Sequence, residues 1–187
     1  MAQQGCLFGL TGKASNAVQM LTSGITAFQS TGSTSWMPAR LSYLAKAYAD
    51  LGQFDEASRY IGEAMTAVDT TKERWWEADI YRMAGEIALM SSEPDAAIAE
   101  AYFERALAVA RQQQAKSWEL RTTTSMARLW RDQGKRDEAR DLLAPLYGWF
   151  TEGFDTLDLK EAKPCSTSCT RDNQFRNGRG NSEAVCK

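Results

Sequence analysis

Apolar positions in this chain recur at helical spacing. Ala57, Ile61 and Met65 stand four residues apart, and the same step links Ala17, Leu21 and Ile25, then Ala99, Phe103 and Leu107, then Ala139, Leu143 and Tyr147. Positions i, i+4 and i+8 share one face of a helix. The small first member of each series recurs at steps of 40, 42 and 40 residues. Three units also carry an aromatic–glycine–alanine triple: Phe8–Gly12–Ala17, Tyr48–Gly52–Ala57 and Trp130–Gly134–Ala139. Each unit therefore reads as helix A, a glycine turn and helix B. The glycine closes helix A in the left-handed conformation, the alanine lets helix A approach helix B, and the aromatic fills the space between units.

Helices are expected at 14–28, 37–51, 54–69, 73–90, 95–113, 116–133, 136–150 and 157–163. Pro94 is read in the first turn of its helix after Ser91 and Ser92, and Pro145 should kink or stop the helix that contains it. No run of alternating β-branched residues calls for a strand. The expected fold class is all-α, an antiparallel helix-pair solenoid of about three and a half repeats. Two domains follow: a helical repeat domain at 1–163 and a disordered tail at 164–187. The tail holds only Phe175 and Val185 from the strongly apolar set, too little to offset its ordering entropy.

Composition narrows the chemistry. The 187 residues include no histidine, which removes the commonest general base and metal ligand together. The net charge of −2 argues against a nucleic-acid binder. Cys6, Cys165, Cys169 and Cys186 form neither a disulfide framework nor a full set of zinc ligands. The string around Gly9, Gly12 and Lys13 has the wrong spacing for a phosphate-binding loop. No nucleophile–base arrangement can be placed, so no catalytic residue, cofactor or metal is expected. No stretch approaches the roughly 18 apolar residues of a membrane span, and the start is unlike a signal peptide, so a cytoplasmic location is expected.

The stretch LAKAYADLGQFDEASRYIGEAM resembles a tetratricopeptide repeat, with Leu44, Ala45, Tyr48, Gly52, Phe54, Ala57, Ile61 and Ala64 on signature positions. The units are longer than the usual period of about 34. Over residues 2–163, the strings KERWWEADIYRMAGE, YFERALAVARQQQAKSWELR and RDLLAPLYGWFTEGFDTLDLKEAK are similar to the C-terminal repeat region of bacterial regulators. Those regulators combine an adenylate/guanylate cyclase or DNA-binding domain with a signalling ATPase domain. The resemblance implies a non-catalytic sensor or scaffold arm. The alternative it leaves open is a fragment or relative of a cyclase or transcriptional regulator whose catalytic or DNA-binding domain is absent from this chain.

Placing the repeat register on the A helices puts Ser42, Lys46, Arg82, Glu86, Arg121, Thr124, Arg128 and Arg131 on the inner face. This face is the expected groove for a partner helix or peptide. Arg121, Arg128 and Arg131 recur at spacings of seven and three, a guanidinium stripe suited to carboxylates or phosphates. An acidic protein partner is expected. The stripe with the basic tail leaves a nucleic-acid contact as a second alternative. The Lys–Asn–Arg carboxylate clamp of some tetratricopeptide proteins is not expected, because these helices lack Asn. Trp75 and Trp76 read as core between repeats, and Trp149, Phe150 and Phe154 as a cover over the solenoid end. Leu7, Phe8 and Leu10 lie on a glycine-interrupted first helix, so self-association through that end, or packing on a preceding domain, is expected.

Overall fold

The computed structural model describes the backbone of residues 14–167 and the side chains of residues 14–163. Leu7, Phe8, Leu10, Gly12, Cys6, Cys169, Cys186 and the tail beyond Thr167 lie outside what is described, as does the side chain of Cys165. Among the described residues eight α-helices run in order: α1 (Ala14–Ser30), α2 (Met37–Asp50), α3 (Phe54–Thr71), α4 (Glu77–Met90), α5 (Ala96–Gln112), α6 (Lys116–Asp132), α7 (Arg136–Tyr147) and α8 (Leu157–Thr167). A 3-10 turn at Arg74–Trp76 leads into α4. Among the described residues there is no strand.

The chain is a tetratricopeptide-like solenoid. Helices α2 and α3, α4 and α5, and α6 and α7 pair as A and B members of successive units, with α1 as the B helix of the preceding one. Each A helix also touches the next A helix, α2 on α4, α4 on α6, and α6 on α8. The B helices pack instead on their own A helix and the following one. The A helices thus form one continuous layer and the B helices the other, as stacked repeats require.

The small positions behave as their spacing predicts: Ala17, Ala57, Ala99 and Ala139 are all buried, as are Leu21, Ile61, Phe103 and Leu143 four residues later. Gly52 and Gly134 take the left-handed conformation after α2 and α6, with φ of 73° and 84°.

Some details differ from expectation. Helix α4 starts at Glu77 rather than at 73, because the 3-10 turn takes Arg74–Trp76. Helix α5 starts at Ala96, close to the expected 95, but its cap is Asp95, whose carboxylate accepts from the Ile98 N–H at 2.9 Å, so Pro94 lies before the helix and not in its first turn. Ser91 instead closes the preceding helix, its hydroxyl donating to the carbonyls of Ala88 and Glu93. Helix α7 ends at Tyr147, two residues after Pro145 rather than five. Helix α8 runs past Pro164 to Thr167. A proline deletes only one helical hydrogen bond when its neighbours are anchored, and α8 is anchored by buried Leu159 and Ala162.

Candidate functional site

The inner layer places the register residues at unequal depth. On α2, Lys46 is partly exposed and ion-paired with Asp50 one turn on. Ser42 is fully buried, its hydroxyl donating to the Ala39 carbonyl at 2.8 Å. On α4, Arg82 is only 14% exposed and is clamped by its own helix: Nε donates to Asp79 and Nη1 to Glu86, each at 2.6 Å. Burial pushes the Arg82 guanidinium pKa down, but Asp79 and Glu86 outweigh it and hold the group above the ordinary arginine range. Glu86 also accepts from the Ser125 hydroxyl at 2.9 Å, which ties α4 to α6. This cluster fixes the register of the two A helices.

On α6 the expected stripe divides. Thr124 is buried, its hydroxyl donating to the Leu120 carbonyl at 2.8 Å. Arg121 Nε donates to Asp158 at 2.7 Å and Arg128 Nη2 to Glu161 at 2.8 Å, so both reach α8. Arg131 turns to its neighbour Asp132 at 2.8 Å. Sequence reasoning missed Asp158 and Glu161. Their spacing of three on a short helix was the available signal, but nothing local says which helix they meet.

A second feature lies where the A helices begin. Trp36 and Trp75 meet edge-on with ring centroids 4.7 Å apart, Trp75 and Trp76 at 4.8 Å, and Trp76 and Trp118 at 4.7 Å. Trp76 packs against the core of the first units, as expected. Trp75 does not serve as core: it is 40% exposed, because the 3-10 turn aims consecutive indoles in different directions. Beside them, Glu119 accepts from Lys116 at 2.7 Å and Arg111 at 3.0 Å. Burial raises the Glu119 pKa, and these two cations more than reverse it, leaving the carboxyl below its ordinary range. At the far end, Phe150 packs on the last core cluster, while Trp149 and Phe154 stay exposed. The cover there comes from Phe150 with Leu159 and Ala162.

A cleft of about 600 Å³ lies between the end of α1, the start of α2 and α3, with Met37, Leu41, Gly62, Thr66 and Ala67 in its lining. Among the described residues no cluster of three potential metal ligands occurs, and no helix is long and apolar enough to cross a membrane.

Residues 39–67 match the tetratricopeptide repeat family model. Among curated proteins no sequence matches this chain. Two solved structures are similar in fold, both of nearly identical TPR-like repeats from a candidate kinesin light chain of Podosopora anserina. A single-substitution variant of that protein has a TM-score of 0.66 at 16% identity, over 94% of this chain and 85% of that one. The unsubstituted form has a TM-score of 0.65 at 16% identity, over 94% and 86%. The helix pairing, the matched repeat and these neighbours together make this chain a protein of tetratricopeptide-like helical repeats.

Proposed function

We propose that this chain is a non-catalytic protein–protein interaction module, the scaffold or sensor arm of a bacterial signalling regulator, and that it takes an acidic partner helix on the A-helix face of α6. The signalling context rests on the sequence strings described above. The binding mode rests on one observation: α8 already lies on α6 as a helix whose two carboxylates, three residues apart, reach Arg121 and Arg128. That contact displays the chemistry this face accepts. Each guanidinium carries five N–H donors and spends one hydrogen bond here on α8. Both remain partly exposed, so each keeps donors for a further carboxylate. With Arg131 beyond them, the row suits carboxylates repeated along one face of a partner helix.

A synthetic helix with glutamates at i, i+3 and i+7 is the probe. Arg128→Ala and Arg131→Ala should each weaken it by up to about fivefold, the scale of a partly exposed ion pair. The Asp158→Asn/Glu161→Gln double variant should bind it more tightly, because the competing carboxylates are gone. Titration calorimetry at low salt reads both effects. If neither parent nor double variant binds the probe, the reading is wrong.

A further inference from the structure

Helix α8 stands where the A helix of a further unit would stand. It lies on α6 and α7, as α4 lies on α2 and α3, and as α6 lies on α4 and α5. Its hold is slighter than theirs. Helix α4 buries Ala78, Ile80, Met83, Ala84 and Ile87 and is paired with α5. The described side chains of α8 bury only Leu159 and Ala162, and among the described residues no B helix follows it. Pro164 removes one N–H donor from the helix. The Asp158–Arg121 and Glu161–Arg128 pairs are partly exposed at both ends, where solvent screening leaves each pair contributing little. Residues 148–156, which join α8 to α7, carry neither helix nor strand.

The contact also has a readable pattern. Asp158 and Glu161, three apart, reach guanidinium groups of α6. Leu159 and Ala162, also three apart, enter the cluster of Leu120, Ala127, Ala139, Leu143 and Leu146. Residues three apart are neighbours on a helix surface, so α8 lays an acidic edge and an apolar strip side by side on the α6–α7 face.

We infer that α8 is a tethered competitor for this face, and that the partner is an acidic helix with the same pattern, carboxylates at i and i+3 and apolar anchors at i+1 and i+4, which displaces α8 as it docks. This rests on the acidic-helix reading above and adds the partner's apolar positions and the state that accepts it. The donors that α8 leaves free on Arg121 and Arg128 give the incoming helix a first hold. The seat for its apolar anchors opens only when Leu159 and Ala162 withdraw, because they fill it. A tether presents α8 to its seat at an effective concentration on the order of mM, so a weak contact keeps the face closed in the absence of a partner. Apparent partner affinity scales with the fraction of molecules in which α8 is released. Any change that loosens α8 therefore tightens partner binding.

A synthetic peptide of sequence 155–163 with helix-forming flanks, added to the full chain, tests this. Leu159→Ala and Asp158→Asn/Glu161→Gln each loosen α8 and should bind the peptide about tenfold more tightly than the parent. A peptide whose leucine is replaced by alanine should bind Leu159→Ala about tenfold more weakly than the unaltered peptide. Amide exchange gives the second readout. In either variant, saturating peptide should leave α6 and α7 protected and α8 exchanging faster than without peptide. The double variant keeps the buried contacts, so it decides the matter should Leu159→Ala fail to fold. Equal affinity in parent and variants, no binding to any of them, or an α8 that stays protected in the peptide-bound chain would each overturn the inference. The glutamate helix separates the two readings. If it binds while the α8 peptide does not, the acidic-helix reading stands and displacement falls; if neither binds, both fall.

Discussion

Gly62 and Gly85 both sit inside helices, and one methyl group added to each meets opposite surroundings. A Cβ placed on Gly62 of α3 would have nothing within 4 Å, whereas one placed on Gly85 of α4 would lie 2.5 Å from the Phe103 ring. Phe103 is fully buried and cannot swing clear. Gly62→Ala should therefore stabilise the protein by about 1 kcal/mol through helix propensity. Gly85→Ala gains the same propensity but overpacks the α4–α5 contact, and should destabilise by about 1–3 kcal/mol. Opposite shifts of the urea midpoint at unchanged slope would show both. Gly85 was legible by analogy: it stands 40 residues after Ala45 and 42 before Ala127, both buried on A helices. Depth was not legible. Register correctly put Ser42 and Thr124 on A helices, but A-to-A packing buries them, and the register of one helix carries no information about its neighbour.

Helix ends show a device that the sequence half reveals. After α2 the Gly52 N–H donates to Ala49 and the Gln53 N–H to Tyr48, and after α6 the Gly134 N–H donates to Arg131 and the Lys135 N–H to Trp130. Helix α5 ends identically, with the Gln114 N–H donating to Arg111 and the Ala115 N–H to Ala110, but here a glutamine holds the left-handed position. The glycine ends were readable because only glycine adopts that conformation without strain. The α5 end was not, because tertiary ties impose it on an unsuited residue. Gln114→Gly should raise stability by up to about 1 kcal/mol, and Gly134→Ala should lower it by about as much. Thermal melts of the two variants against the parent check the pair, and equal shifts in one direction would contradict it. The same limit explains α8: Pro164 marked a stop by its local chemistry, while the docking that carries the helix onward comes from residues elsewhere.

At the scale of the molecule, the solenoid was legible because its repeat is written in the spacing of small and large apolar residues. What covers its last A helix was not, because α8 has no repeat signature and docks through contacts distant in sequence. Its buried Leu159 and Ala162 join Leu120, Ala127, Ala139, Leu143 and Leu146 in a cluster built from α6, α7 and α8 alone. A separate cluster joins α1, α2, α3 and α4. In stacked repeats stability is close to a sum of unit and nearest-neighbour terms, so damage to one end stays near that end. Leu159→Ala removes a buried leucine from the terminal cluster and should cost about 2–5 kcal/mol there. It should also loosen the Asp158–Arg121 and Glu161–Arg128 pairs that α8 supports. Native-state amide exchange should then accelerate across α6, α7 and α8, with α1 to α3 retaining parental protection. Acceleration of equal size in every helix would mean that the chain unfolds as one cooperative unit, and that the two clusters are coupled more tightly than nearest-neighbour packing allows.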